Sequence, residues 1–516
     1  LPRETPSPIL LGAVLVRSKV FRDTYRDSVE LMRVAAEVEQ LVGVHRAALL
    51  LATPANREVL TQAGLLDGPA VSARPSDLIV AVAAKDDAAA EAALARASGL
   101  LGAPPALAAA PGEPRPPGTI AAALAALPGA NLAIISTPGP YATAEALKAL
   151  KRGLHVFLFS DNVPLADEVE LKRLANRKRL LVMGPDCGTA ILDGVPLGFS
   201  NAVRRGRIGL VSASGTGLQQ VMCLVDRLGE GVSQAIGVGG RDLHDGVGGL
   251  MMVAGIERLL DDRETAVLVL VSKPPSAAVA RGVLERVGRA PKPAVVCFLG
   301  GDPAPIRASG ARPAATLEEA AIRAVELASG RAPADQNGGA EKRAALARAR
   351  ASRLTAGQRA IRGLYSGGTL CAEAALIVTE ALAGAPAPPG HTLLDLGDDR
   401  FTIGRPHPMI DFRLRNEHLM AAADDPSTAV ILLDVVLGYG SHPDPAGALG
   451  PAIEQARTRA ARAGRPMIVV GSVCGTPADP QDLGRQEARL AAAEMLLAPS
   501  NAEAARLAAL IIREAR

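Results

Sequence analysis

The sequence predicts a duplicated α/β protein built on parallel sheets, preceded by a small α+β region. Three observations lead there. Short aliphatic runs alternate with segments of helical periodicity along most of the chain. Hydrophobic residues make up 48% of the chain but aromatics only 2%, and a core of Ala, Leu and Val suits helices laid on parallel strands. Finally, four elements recur in the same order in two stretches. With 516 residues the chain exceeds one ordinary core, so several domains are expected.

Residues 11–16 read as a strand, and 27–41 as a helix with apolar Val29, Met32, Val34 and Val38. Strands at 47–52 and 78–83 and a helix at 86–100 follow. Region 1–101 is therefore expected to form a small ferredoxin-like or ACT-like α+β unit. The Pro/Gly/Ala stretch 102–118 is a linker. In region 119–205, strands 132–136, 155–159 and 180–183 alternate with helices 142–151 and 165–176, the spacing of right-handed β-α-β crossovers. These strands end in Ser136-Thr137-Pro138-Gly139, Ser160-Asp161-Asn162 and Gly184-Pro185-Asp186-Cys187-Gly188. Ligands of open α/β sheets gather at such carboxyl ends.

Regions 206–330 and 355–516 read as copies of each other. In the first, strand 207–212 runs through Ser214-Gly215-Thr216-Gly217 into a helix carrying Leu218, Val221, Met222, Val225 and Leu228. A strand ending in Gly237-Val238-Gly239-Gly240-Arg241-Asp242 follows, then strands 265–270 and 293–298. In the second, strand 361–365 leads through Ser366-Gly367-Gly368-Thr369 into a helix, followed by strands at 393–396, 428–433 and 466–471. The charged, Ala-rich segment 331–354 joins the copies as a linker helix or a partly disordered stretch.

The balance of 56 basic against 53 acidic residues has no basic stripe and no interleaved aromatics, which argues against nucleic-acid binding. The apolar run 9–16 is too short to span a membrane. Five scattered cysteines without a C-x-x-C pair fit neither a disulfide framework nor a zinc site, and they suit a reducing cytoplasm.

A helix amino terminus exposes unpaired N–H groups and the positive end of the helix dipole, so it attracts phosphate. Ser214, Gly215 and Thr216 provide one such turn, and Ser366, Gly367, Gly368 and Thr369 another. Each alone could be an ordinary cap. At equivalent positions of two copies, facing ends could clasp one anion. Gly239, Gly240, Arg241 and Asp242, with their counterparts Gly397 and Asp398, are the candidate substrate-binding residues. His407, between two prolines, is the candidate proton carrier, and Arg405 a candidate for bidentate binding of carboxylate or phosphate. His442 is a weaker candidate of the same kind. Cys187 reads as structural rather than nucleophilic, because no activating base adjoins it in sequence. Asp398, Asp399 and Asp411 could hold Mg²⁺, but no metal motif accompanies them.

From about residue 131 to 301 the chain resembles the α subunit of succinyl-CoA synthetase. The resemblance rests on Gly184-Pro185-Asp186-Cys187, on Arg207-Ile208-Gly209-Leu210-Val211-Ser212-Ala213-Ser214-Gly215-Thr216 and on Ile236-Gly237-Val238-Gly239-Gly240. The second copy resembles the carboxyl-terminal domain of the β subunit, and no ATP-grasp domain lies between them. The combination is similar to the FdrA family, most specifically at Met183-Gly184-Pro185-Asp186-Cys187-Gly188-Thr189-Ala190 and at residues 396–411. The resemblance implies a Rossmann-like CoA-binding-type domain, two flavodoxin-like succinyl-CoA-synthetase-type domains and the small α+β domain. It also implies association with oxamate carbamoyltransferase, which joins carbamoyl phosphate and oxamate to give oxalurate and phosphate, with partner subunits in a homo- or hetero-oligomer.

Where the synthetase family carries phosphate on a histidine in a G-H-A-G-A loop, this chain reads Gly300-Gly301-Asp302-Pro303-Ala304. The glycine-rich segment that holds CoA phosphates is absent or severely shortened. The expected function is thus a carbamoyltransferase subunit without CoA. The alternatives are an acyl-CoA synthetase component and a non-catalytic ligand-sensing or scaffold subunit.

Overall fold

The computed structural model describes residues 15–26, 28–102, 117–331, 338–383, 390–402 and 406–515. It is a mixed α/β structure in two compact units, one of Leu1–Pro117 and Asp399–Pro406, the other of Gly118–Asp398 and His407–Arg516.

In the first unit, strands β1 (Leu15–Phe21), β2 (Val44–Leu51) and β3 (Leu78–Ala84) form an antiparallel sheet with β3 in the middle. Every residue of β3 is buried, because alternate side chains face opposite layers. Leu78, Val80, Val82 and Ala84 pack with helices Ser28–Glu39 and Asp87–Gly102. Ile79, Ala81 and Ala83 pack with Leu60, Leu65 and Ala70. Helix Pro54–Gln62 and a 3₁₀ turn at Gly68–Ser72 carry this second layer. Sequence periodicity did not show it, since the helix is short. The expected first strand lies further along the chain, and residues 11–14 are outside the described residues.

The second unit begins with a parallel sheet of β4 (Leu132–Ile135), β5 (His155–Leu158) and β6 (Val182–Met183), crossed by helices Gly139–Lys151 and Leu165–Arg177. Next comes a hairpin, β7 (Thr189–Leu192) and β8 (Val195–Gly198). It pairs antiparallel with the edge of the following sheet rather than with β4–β6.

That sheet holds β9 (Arg205–Ser212), β10 (Val232–Gly237), β11 (Val267–Ser272), β12 (Ala294–Phe298) and β13 (Arg312–Pro313), in the order β13-β12-β11-β9-β10. The next sheet holds β14 (Ala360–Tyr365), β15 (Thr392–Asp395), β16 (Thr428–Val436), β17 (Ile468–Cys474) and β18 (Met495–Ala498), in the order β18-β17-β16-β14-β15. Both follow the flavodoxin-like order 2-1-3-4-5, with every one of these pairs parallel. The recurrence seen in sequence is thus a repeat of topology, and it extends to a fifth strand, β13 or β18.

One continuous apolar core joins the two sheets. Leu218, Val221 and Met222 of helix Gly215–Arg227 share it with Leu370, Ala374 and Val378 of helix Gly368–Ala381. Helices Leu317–Ser329 and Asn501–Glu514 pack beside them. The connecting segment is helical over Gly338–Ala351 and docks on Asn501–Glu514, with Arg343 paired to Glu503. No helix among the described residues is long and apolar enough to cross a membrane.

Glu373 is the polar pin of this seam. It is 1% exposed, accepting from the backbone N–H of Leu317 at 2.7 Å and from Asn501 Nδ2 at 2.8 Å. Each amide belongs to the first residue of a final helix, one in each copy. Burial raises its carboxyl from 4.5 to about 7. The folded chain therefore holds a proton that the unfolded chain releases between those values, and stability falls as pH rises through this window, by about 3 kcal/mol. Glu373→Gln should flatten that part of the profile, read as urea midpoints from pH 5 to 8. A variant with the same slope as the parent would show that the proton resides elsewhere.

Candidate functional site

The two glycine–hydroxyl turns follow β9 and β14 and face one another across the seam. Ser214 caps its helix through Oγ, which accepts from Gly217 N–H at 2.9 Å. The same hydroxyl meets Thr369 Oγ1 at 2.5 Å. A Cβ on Gly367 would stand 2.9 Å from the Thr216 side chain, and one on Gly217 would stand 3.1 Å from Thr369 Cγ2. Each threonine therefore lies over a glycine of the opposite turn. These glycines are required by close approach of the two copies, a reason the sequence reading did not consider.

The turns differ in charge. Ser366 and Gly367, expected to bind phosphate, instead donate their amides to Asp434, at 2.8 Å each, and the Ser366 hydroxyl donates to it at 3.1 Å. Asp434 is fully buried and paired with buried Arg415, whose Nη1 also donates to the Asp434 carbonyl at 2.7 Å. A second carboxylate, Asp395, crowds the same helix end: a Cβ on Gly368 would stand 2.3 Å from its Oδ2. With two acids there, the second turn attracts an added anion weakly. Among the described residues, no carboxylate is a hydrogen-bond partner of the first turn. Its leading amides, on Gly215 and Thr216, have no acceptor within the helix.

Around Asp395 lie the groups that sequence reasoning passed over. Its Oδ1 accepts from Gly397 N–H at 3.0 Å, yet burial outweighs that bond and raises its pKa. Lys273, exposed at the carboxyl end of β11, acts electrostatically on this carboxylate. The signal available was Ser272-Lys273-Pro274-Pro275, a lysine held by prolines at a strand end. Asp398 is exposed just beyond.

His407 reaches the same place from another loop. A Cβ on Gly397 would be 2.7 Å from His407 Nε2 and 3.2 Å from Asp395 Oδ1. Nδ1 accepts from Met409 N–H at 3.2 Å, so the proton of the neutral ring belongs on Nε2. Burial lowers the ring's pKa to about 4, with Asp434 opposing and Arg415 adding to the shift. The ring rests on Phe199 with centroids 5.9 Å apart, and Phe199 on Phe159 at 5.7 Å. His407, the candidate proton carrier, is thus neutral at pH 7 and presents Nε2–H as a donor. Arg405 lies outside the described residues.

Other candidates have internal partners. Arg241 pairs with Glu168 at 2.9 Å and donates to Val163 O at 2.8 Å. Asp242, fully buried, pairs with Lys172 at 2.9 Å and accepts from the amides of Met251 and Met252. These two, expected to bind substrate, hold the β4–β6 layer to the next sheet instead. Gly239 has φ +84° and approaches Pro185 O so closely that a Cβ would stand 2.5 Å away, whereas Gly240 faces open space. Cys187 is buried and its thiol is pushed up to about 12, which suits the structural reading. His442 Nδ1 accepts from Asp444 N–H at 3.0 Å, its ring edge-on to Phe412. Asp411 pairs with Arg413. Among the described residues no group of three or more His, Cys, Asp or Glu could hold a metal ion.

Residues 364–511 match a family described as CoA-ligase, and residues 14–114 match one described as AllF, heavy metal-associated domain. YahF of Escherichia coli K12 is 42% identical over 501 residues, covering 94% of this chain and 96% of its own. The α subunit of ADP-forming succinate–CoA ligase from Staphylococcus epidermidis is 28% identical over 184 residues, 34% of this chain and 58% of that subunit. Among solved structures, the dinucleotide-forming acetyl-coenzyme A synthetase 1 of Ca. Korarchaeum cryptofilum aligns at TM-score 0.33 and 18% identity, over 75% of this chain and 83% of that one. ATP citrate lyase from Methanothrix soehngenii aligns at 0.36 and 16%, over 43% and 45%. The sequence has no cysteine, the soft ligand that heavy metals favour, before Cys187, and among the first unit's described residues no group of three or more His, Cys, Asp or Glu could hold a metal ion. In the turn after β1, moreover, Asp23 is tied to Arg74 at 2.9 Å.

Gly367→Ala should cost about 1–3 kcal/mol of stability by overpacking the Thr216 contact, measured by denaturant unfolding; an unchanged midpoint would rule out the reciprocal fit. Nitrogen NMR should find His407 neutral and Nε2-protonated down to about pH 5, as its shift to about 4 implies.

Proposed function

We propose that this chain, which belongs to the family of Escherichia coli YahF, transfers an acyl-type group from a carbonyl–phosphate anhydride, as a subunit of an oxamate carbamoyltransferase-type enzyme. The observation that carries this reading is the unequal pair of facing turns. One helix end is open to phosphate, and the other is crowded by an acid beside a neutral imidazole donor.

In the forward direction, the phosphate of carbamoyl phosphate lies on the amides of Gly215 and Thr216, with Lys273 adding positive charge. His407 Nε2–H donates to the carbonyl oxygen, which becomes an oxyanion in the tetrahedral intermediate. The oxamate nitrogen bonds to the carbamoyl carbon and passes its proton to Asp395. The carbon–oxygen bond to phosphate then breaks, and phosphate leaves with the electron pair. Oxamate as acceptor rests on the resemblance of the motifs at residues 183–190 and 396–411. No histidine is needed in the loop Gly300-Gly301-Asp302, which caps helix Pro303–Ala308 through Asp302.

A second reading, a component of an acid–thiol ligase, is favoured by the CoA-ligase match and by the likeness to the succinate–CoA ligase subunit. The missing histidine in the first copy's loop at residues 300–304 weighs against it, since that chemistry would need another phosphate carrier.

Phosphate release from carbamoyl phosphate should depend on oxamate, with the chain assayed alone and with candidate partner subunits. Asp395→Asn should lower kcat by about 100-fold or more, and Lys273→Ala should chiefly raise KM for carbamoyl phosphate. Acyl-CoA formation from ATP, CoA and an acid, without oxamate-dependent release, would instead establish the second reading.

A further inference from the structure

At the opposite end of the second copy's sheet, far from the turns, four segments converge on a cavity of about 80 Å³. Arg350 closes the connecting helix Gly338–Ala351 and Arg353 follows it. Arg457 comes from helix Pro445–Arg462, and Glu494 from the turn before β18, with φ +60°. Pro466 and Leu496, at the amino-terminal ends of β17 and β18, supply an apolar floor.

Three arginines meet one glutamate here. Arg457 takes Glu494, at 2.5 Å. Arg350 and Arg353 act on that carboxylate only through space, and neither side chain has a hydrogen bond or ion pair with another described residue. A cavity with two uncommitted guanidinium groups over an aliphatic floor is chemically matched to an anion with a short apolar body, because the guanidinium fork suits carboxylate and phosphate alike.

We propose that this pocket is a second ligand site, taking a small organic anion whose head lies on Arg350 and Arg353 and whose aliphatic part lies on Pro466 and Leu496. Its occupant ties the connecting helix to the second copy's sheet, which gives the segment between the copies a ligand-dependent anchor. The site shares no residue with the facing turns, so it does not depend on the transfer reading.

The test is modification of the full chain by phenylglyoxal, mapped by mass spectrometry, in butyrate, butyl phosphate or sodium chloride at equal ionic strength. Modification of Arg350 and Arg353 should slow about tenfold with at least one organic anion, and the one that protects identifies the head group. Arg350→Gln/Arg353→Gln should lose the matching calorimetric binding while keeping the parent's melting temperature in chloride. Unchanged rates at both arginines in both anions, or protection confined to other arginines, would overturn the proposal.

Discussion

The approach of two helix amino termini is the constraint on which the rest of the second unit depends. Two like-signed dipole ends repel, and leading amides left without acceptors are costly where buried. The protein meets both problems locally. Ser214 satisfies one amide and the hydroxyl of Thr369, while Asp434 takes the amides of Ser366 and Gly367. The glycines at 217 and 367 permit the approach by leaving room for the opposite threonines.

That solution breaks the symmetry of the duplication. A buried carboxylate is tolerable only with compensating donors, and Asp434 has Arg415 and two amides. Once it occupies one helix end, Asp395 beside it is pressed toward its protonated form by burial. The same dry surroundings keep His407 neutral. A pair of equivalent turns thereby becomes a pair of unlike electrostatic character.

Buried ion clusters elsewhere do architectural work. Lys172 lies among Glu168, Asp242 and Val238 O, at 2.8–2.9 Å from each, and Arg241 extends this cluster outward. Asn201 accepts from Gln219 and donates to Asp479 and the Leu437 carbonyl, linking the hairpin segment to both copies. Such clusters look like sites in sequence, because charge among glycines is poor core material. In three dimensions the charges of Lys172 and Arg241 are balanced by those of Glu168 and Asp242.

Much was legible in the sequence alone. Aliphatic runs at 207–212, 265–270 and 428–433 announced central strands because those strands are covered on both faces. The order of elements announced the duplication, and Ser214 announced a helix start because capping is a local property. Short elements such as β13, β18 and helix Pro54–Gln62 were not legible, since two to nine residues hold too little periodicity. Tertiary structure alone decided which turn has its amides taken by a carboxylate, that Arg241 and Asp242 have internal partners, and that Lys273 acts electrostatically on Asp395 near His407. The reason is physical: a residue's type and spacing set what it can donate or accept, but partners hundreds of residues away determine whether that capacity is already used.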